Sequence, residues 1–573
     1  MSIFGSLQMA GNTLQAMQIG LHVVGNNIAN ANTPGYVRER AIFTPAPVQK
    51  IGNLTLGLGV EVAGIEQVID KFLETRLRDA GSDLASAEVQ EKVFNDLQAI
   101  IGELTDVDIS SALTQFFNGI ENVTSAPENV GIRDLVVKDG VSLTQRINSL
   151  DRRIKGVHAD LSSRVQSIAT EINTLTEEIR KLNLQIVTIE GGGTTGSDAG
   201  GLRSQRSVAL TKLANLVDIK ATEGETGVVN ISLNGELLVF DGTSRKVESV
   251  GVEEDGVNTT RVRFVDNKSH LQVGGGELHG VYEARDNVLG SFLESFDNFA
   301  ASLAFEFNKL YSQGQGIEGF TEVTSTARVD DPDVALNKAG LDFTPVNGSL
   351  QVLIRNRKDD VTKTHDIRID LNGLDGNDTT LRSLAAELDA IEGLSARVDL
   401  DNRLVLESET NDIDFSFGIE NPSDESGTLA ALGINTFFTG STARELNVNS
   451  QLRDGSGAGA KFAASTQGIN EGSQNAIRLV ALYDESLTTL DGSSIRGLYD
   501  TIINETTQGA TISSAVADGF RVFAGTLEAS SQAVSGVNID EEAIDMILLQ
   551  QTYQASARYI STLAQLLDTL INL

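Results

Sequence analysis

The N-terminal stretch IFGSLQMAGNTLQAMQIGLHVVGNNIAN, residues 3–30, decides the fold. The apolar pattern of this stretch ends in the segment NNIANANTPGY at 26–36. Apolar side chains recur there in alternating steps of four and three residues, which is the a/d seam of a coiled coil. Pro34 and Gly35 then signal a stop and a turn. This N-terminal seam consists of Ile3, Leu7, Ala10, Leu14, Met17, Leu21, Val24 and Ile28.

A second seam occupies the C-terminus. Asn538 followed by Glu541 is a plausible start for its helix, since this pair resembles a capping box. Chain ends are usually disordered unless something ties them down, so regular patterning at both extremes predicts that the two helices meet and that assembly happens there. The C-terminal seam has one row of Met546, Tyr553, Ile560 and Leu567 and a second row of Leu549, Ser556, Leu563 and Leu570.

A third apolar pattern runs from 147 to 189 at spacing seven. A second row accompanies it and changes side after Arg164, from Leu150 and Val157 to Val165, Ile172, Ile179 and Ile186. This change predicts one long helix whose packing partner changes midway. The run GGGTTGSDAGG at 191–201 predicts a loop that closes this helix. The row consists of Ile147, Ile154, Leu161, Ile168, Leu175, Leu182 and Ile189.

Two β-rich regions interrupt the helical pattern, at about 219–280 and 343–420. The order helix, β insertion, helix predicts a multidomain α+β protein. We expect an elongated helical stem, with coiled-coil-like terminal helices brought together and β-rich outer domains inserted. The predicted domains are an inner assembly domain of 1–65 with 535–573, a helical middle domain of 66–324 with 446–534 that contains the first β-rich region, and an outer β-rich insertion of 325–445.

Composition excludes several classes of function. The formal net charge of -35 argues against nucleic acid and against anionic membrane surfaces as partners. The chain has no Cys, which removes disulfides and thiol chemistry. No apolar run is long enough to cross a bilayer, and the N-terminus lacks the pattern of a cleaved secretory signal. We therefore expect no nucleic-acid binding and no membrane insertion.

The sequence offers no constellation of catalytic or metal-binding residues. The five His residues do not fall at metal-ligand spacing on one helix face, and HExxH and GxSxG are absent. The Gly-rich run at 191–201 lacks the Lys-Ser/Thr of a P-loop. We expect a protein that is not an enzyme and that needs no metal and no other cofactor.

The segment NNIANANTPGY resembles the N-terminal signature of the axial proteins of the bacterial flagellum, which include rod, hook and hook-associated proteins. The C-terminal segment 535–573 is similar to the corresponding segment of the proteins that join hook to filament. GVEV at 59–62, LRSQRSVALTKLANLVDI at 202–219 and FNKLYSQGQG at 307–316 fit the same family. The resemblance covers both ends and most of the helical body, but not clearly 325–445.

The resemblance implies a structural role at the hook–filament junction, in the extracellular flagellum. It implies self-assembly into a ring or tube, with the hook protein on one side and a second junction protein on the filament side. It also implies secretion through the flagellar type III export apparatus with a dedicated export chaperone. The implied assembly residues are the two seams together with the motif residues Asn30, Thr33, Pro34, Gly35 and Tyr36.

Three alternatives remain open at this point. Another axial protein, of the hook or distal-rod type, would share the N-terminal signature, although the helical pattern at 147–189 disfavours it. A junction protein whose outer insertion also acts as an adhesin is the second alternative. An enzyme displayed on the flagellum is the third, and the insertion would then have to hold a site built around its single His, His365.

Overall fold

The computed structural model describes residues 3–51, 54–102, 108–191, 196–254, 257–374, 376–418, 423–454, 458–469 and 472–572. The chain divides into two compact units. The first unit comprises Met1–Val93, Ala159–Asn287 and Thr511–Leu573, and the second comprises Phe94–His158 and Val288–Ala510.

Helices dominate the described residues, and several are long. The α-helices are α1 (Ile3–Asn30), α2 (Lys71–Gly102), α3 (Ile109–Ser125), α4 (Val130–Glu190), α5 (Gly200–Leu216), α6 (Gly276–Tyr282), α7 (Gly290–Tyr311), α8 (Leu381–Asp389), α9 (Thr428–Leu432), α10 (Ser450–Arg453), α11 (Gln474–Ala481), α12 (Ile495–Ser535) and α13 (Ile539–Ile571). A π-helical segment, Glu283–Leu289, connects α6 to α7.

The strands form small antiparallel sheets. They are β1 (Glu39–Pro45), β2 (Val48–Ile51), β3 (Leu54–Gly57), β4 (Val60–Gln67), β5 (Lys220–Glu223), β6 (Val229–Leu233), β7 (Glu236–Phe240), β8 (Thr243–Ser244), β9 (Val247–Glu254), β10 (Val257–Phe264), β11 (Glu322–Thr324), β12 (Gly348–Asn356), β13 (Val361–Ile369), β14 (Leu394–Val398), β15 (Leu404–Ser408), β16 (Ile413–Phe417), β17 (Phe438–Thr439) and β18 (Asn447–Val448). The predicted α+β class is therefore confirmed.

The first unit places the terminal helices side by side and next to the small sheet β1–β4, in which Phe43 pairs with Val62. Its main hydrophobic core lies between α4, α5 and strands β6 to β10. Val165, Ile168, Ile172 and Ile179 of α4 are buried there beside Leu213 of α5. The predicted change of packing row after Arg164 is thus confirmed.

The second unit has two cores. Phe116, Phe307, Tyr311, Phe437 and Phe438 form an aromatic cluster in which Phe307 and Phe438 have ring centroids 5.2 Å apart. The second core fills the β-rich region between the sheets β13–β12–β16 and β11–β15–β14, with α8 packed beside β14. This region coincides with the second predicted β-rich stretch.

Helix α4 begins seventeen residues before the predicted start, at Val130 instead of Ile147. Gly131 and Gly140 lower helix propensity over this part of the chain. Tertiary packing overrides that tendency, since Val136 and Leu143 are buried and a Cβ at Gly140 would lie 2.6 Å from the ring of Phe437.

The end of the predicted row on α4 is wrong, because Ile189 is 60% exposed. The helical structure that follows the first β-rich region begins at Gly276 and consists of α6, the π-helical segment and α7. Helices α2 and α3 were not predicted.

Candidate assembly site

Helices α1 and α13 pack along each other, so the predicted meeting of the two chain ends is confirmed. The predicted seam of α1 faces inward: Ala10, Met17 and Val24 are buried, and the rest are half-buried, namely Ile3, Leu7, Leu14, Leu21 and Ile28. In α13 Leu563 is buried, and Met546, Leu549, Tyr553, Ile560 and Leu567 are half-buried. The side chain of Leu570 lies outside the described residues.

Gly20 lets the two helices approach closely. A Cβ added at this glycine would lie 3.0 Å from the Phe43 ring and 3.1 Å from a methyl group of Leu549. Side-chain contacts that short require a neighbour to move. Gly20 is not on the predicted seam, so the sequence reasoning missed it.

The motif after α1 forms a tight turn. The Tyr36 amide donates to the Thr33 carbonyl oxygen at 3.1 Å, and Gly35 between them has φ +74°. With Pro34 at the second position, this is a type II turn, which requires a positive φ at its third residue. Asn30 accepts a hydrogen bond from the Thr33 hydroxyl at 3.3 Å. The five predicted motif residues therefore act together as the exit from α1.

Asn27, which sequence reasoning also missed, is the centre of the site. Its side chain is 1% exposed and donates to the Glu39 carbonyl oxygen at 2.8 Å and to the Glu542 carboxylate at 3.0 Å. Its amide oxygen accepts from the Tyr36 hydroxyl at 2.9 Å and from the Glu39 amide at 3.0 Å. All four hydrogen-bonding positions of this amide are satisfied, as burial requires.

The start of α13 is held by three further contacts. Asn538 caps the helix by accepting from the Asp540 amide at 3.1 Å. The Arg38 amide donates to the Ser535 carbonyl oxygen at 2.9 Å, and the Arg38 guanidinium contacts Glu541 at 3.4 Å. The carboxylates of the first turn also suit the positive end of the helix dipole.

Burial shapes the ionisation of this site. Burial, followed by the nearby charges of Glu39 and Glu542, raises the pKa of Tyr36 well above its ordinary value. Burial also raises the pKa of Glu39, with Asp198 adding to the effect and Asn26 opposing it. In both groups burial thus disfavours the charged form relative to its stability in water.

The outward face of α13 is apolar and uncovered. Ile544, Ile547, Leu548, Tyr559 and Leu566 are between 40% and 66% exposed. Exposed apolar surface of this extent commonly marks an interaction site. The predicted C-terminal seam does not include this second face.

Helix α1 and the central part of α13 stand out by their lack of charge. The whole chain contains 123 Asp, Glu, Lys and Arg residues among 573. Residues 3–30 contain none of them, and residues 546–567 contain only Arg558. Low charge in these stretches avoids repulsion between like charges where helices of so acidic a chain pack closely.

A polar cavity of about 530 Å³ lies elsewhere in the first unit, beside β4, α5 and β5. Its cations pair with its own carboxylates: Arg203 contacts Glu190 at 2.7 Å, and both Arg206 and Lys71 contact Glu223, at 3.0 and 2.7 Å. The described residues contain no group of three or more His, Asp or Glu side chains that could hold a metal ion. No described helix is long and apolar enough to cross a membrane.

Three family models match separate parts of the chain. Residues 7–36 match the flagella basal body rod protein, and residues 529–573 match the flagellar basal body rod FlgEFG protein C-terminal model. Residues 94–325 match the flagellar hook-associated protein FlgK helical domain. All three matches, at both ends and in the helical body, are therefore to axial proteins of the bacterial flagellum.

Curated relatives narrow the class further. Flagellar hook-associated protein 1 of Bacillus subtilis (strain 168) is 23% identical over 100% of this chain and 98% of its own length. The proteins of the same name from Escherichia coli (strain K12) and Salmonella typhimurium are 22% and 23% identical, each over 98% of both chains. Over nearly its whole length, the chain is therefore similar to flagellar hook-associated protein 1.

A solved structure, the flagellar hook junction protein FlgK from Burkholderia pseudomallei, resembles the chain with a TM-score of 0.49 at 13% identity. The structural match covers 80% of this chain and 100% of the solved chain.

Proposed function

We propose that this protein forms the junction between the hook and the filament and that it assembles there through α1 and α13. The observation that carries the proposal is the packing of α1, which contains no Asp, Glu, Lys or Arg, against α13, whose apolar outer face is left open. The relatives that match over nearly the whole chain are named flagellar hook-associated protein 1, which supports a place next to the hook.

In this proposal the two seams have a different task from the outer face. The seam residues hold α13 against α1 within one chain, and Asn27 fixes the start of α13. The exposed residues of α13 then contact neighbouring copies in a ring or tube. The predicted division into an inner assembly domain, a helical middle domain and an outer insertion at 325–445 belongs to the same proposal.

The partners follow from the junction role. The hook protein lies on one side and a second junction protein on the filament side, both outside the cell. The chain reaches that place through the flagellar type III export apparatus, with an export chaperone. We further propose that the protein acts without catalysis and without a cofactor.

Removal of the protein tests this function. Cells that lack it should build hooks and secrete flagellin into the medium, but bear no attached filaments. Restoring the chain on a plasmid should restore the filaments. Cells that lack the protein and still carry normal filaments would contradict the proposed function.

A further inference from the structure

The outer face of α13 carries one charged side chain between residues 546 and 567, Arg558, which is exposed. Ile547 precedes Arg558 by eleven residues, about three helical turns, so both lie on the same line of the helix. Tyr559 beside it is 40% exposed. Arg558 therefore sits within the open apolar face.

Arg558 has no ion pair within the described part of its own chain. If copies cover this face, as the proposed function requires, an arginine without a carboxylate would be costly to bury. A chain with 79 acidic and 44 basic residues offers carboxylates on every copy. The partner of Arg558 is thus most simply supplied by a second copy.

Among the described residues of α13, most carboxylates are already engaged. Glu542 is buried and bonded to Asn27, and Glu541 contacts Arg38. Asp568 accepts from the side chain of Asn572. Asp540 and Asp545 remain, both exposed and without an ion pair in the described residues.

Asp540 and Asp545 differ in their position around the helix. Asp540 lies eighteen residues before Arg558, about five full turns, and therefore on the same side of α13. Asp545 lies thirteen residues before Arg558 and about 140° around the helix. In a ring or tube, one side of each copy contacts one neighbour and a different side contacts the other neighbour. The two residues of an ion pair between copies therefore come from different sides of the helix. Asp545 meets that condition.

We propose that Arg558 of one copy pairs with Asp545 of a neighbouring copy. The pair sets a parallel stagger of about 20 Å between adjacent α13 helices. This inference rests on the proposed function and adds to it the partner group and the register.

Cross-linking tests the contact in assembled flagella. The chain has no Cys, so Asp545→Cys with Arg558→Cys introduces the only two thiols. A paired Arg and Asp hold their Cα atoms farther apart than the roughly 7 Å limit of a disulfide, so a short bismaleimide is the suitable reagent. The double variant should give a ladder of covalent oligomers, and each single variant should stay monomeric.

Charge exchange tests the energetics. Arg558→Glu and Asp545→Arg should each reduce the number of cells with attached filaments at least tenfold. The combined variant Asp545→Arg with Arg558→Glu should recover to within twofold of the native chain, and Arg558→Lys should stay near native. Arg453→Glu, an exposed arginine in the second unit, is the control. The amount of exported protein must be equal in all strains.

The two hypotheses fail in different ways. Filaments that persist when the whole chain is absent would overturn the proposed function. If absence removes the filaments, yet Arg558→Glu is normal and the cysteine pair gives no ladder, the ion pair alone is overturned.

Discussion

Asn27 near the end of α1 donates a 3.0 Å hydrogen bond to Glu542 at the start of α13, although 515 residues separate them in the chain. Both side chains are buried, at 1% and 4% exposure. A single amide thus joins the exit of the first helix to the entry of the last. The N-terminal motif therefore does more than end a helix, since it also fixes where the C-terminal helix begins.

Asn27→Ala should loosen α13. The change leaves buried groups of Glu39 and Glu542 without partners, and each such group costs about 1–3 kcal/mol. We expect backbone amides of α13 to exchange hydrogen at least fivefold faster in the purified chain. Asn12→Ala is the matched control, because Asn12 bonds to the Leu58 carbonyl oxygen and not to α13. Equal exchange in both variants would show that Asn27 does not hold α13.

Gly20→Ala and Gly11→Ala should differ in sign. Nothing lies within 4 Å of a Cβ at Gly11, so alanine there should stabilise α1 by about 0.5–1 kcal/mol. At Gly20 the methyl group meets Phe43 and Leu549, and overpacking of this kind costs about 1–3 kcal/mol. Denaturant unfolding of the full chains measures both changes. A gain in stability for Gly20→Ala would mean that the helices are not in close contact there.

Alkaline pH should destabilise the fold, in part through Tyr36. Its pKa is raised in the folded chain, chiefly by burial, so above pH 10 the unfolded chain releases a proton that the folded chain keeps. The contribution of Tyr36 to the free energy of unfolding is present below the ordinary tyrosine pKa. It is lost as the pH rises toward the pKa that Tyr36 has in the folded chain. Tyr36→Phe should make the fall of unfolding free energy with pH less steep. An unchanged slope would contradict the assigned burial.

Phe307→Ala should destabilise the second unit. Phe307 is fully buried and contacts Phe116, Tyr311, Phe437 and Phe438. Losing a large aromatic side chain from such a core costs about 3–5 kcal/mol. Val361→Ala, at a position 53% exposed, should change stability by less than about 0.5 kcal/mol. Denaturant unfolding monitored by circular dichroism measures the change in unfolding free energy for both variants. Equal changes in the two variants would contradict the role of Phe307 in this core.

The helical framework was largely predictable from the sequence. Periodicity of apolar residues located α1, α13 and most of α4, because burial on one side of a helix leaves a repeat that local sequence records. The two β-rich regions were found by their short apolar runs and turn residues. The start points of helices were predicted less accurately. The start of α4 was missed because it depends on the packing of Gly140 against Phe437, which is a tertiary effect.

The site was only partly predictable. The seam residues and the motif residues were identified, and the structure brings them together. Asn27, Gly20 and Glu542 were missed, because their roles depend on contacts between segments far apart in sequence. A buried asparagine and an exposed one look alike in a sequence.

The outer face of α13 was missed for another reason. Leu548, Tyr559 and Leu566 recur at helical spacing just as the seam residues do, so α13 is apolar on two sides. Periodicity shows that each side is apolar, but it does not show which one α1 covers. The near absence of charge in 3–30 and 546–567 was the available sequence signal for the proposed assembly.

The number of cells with attached filaments in a Leu14→Asp strain tests the central claim most directly. Leu14 is half-buried on the inward face of α1, so a carboxylate there would be partly desolvated without a partner and α13 should dock less stably. Thr362→Asp, on an exposed position of β13, adds the same charge away from the terminal helices and is the control. With equal export of both proteins, we predict that Leu14→Asp cells shed flagellin and lack filaments while Thr362→Asp cells are normal. Leu14→Asp cells that export the protein and grow normal filaments would contradict assembly through the terminal helices.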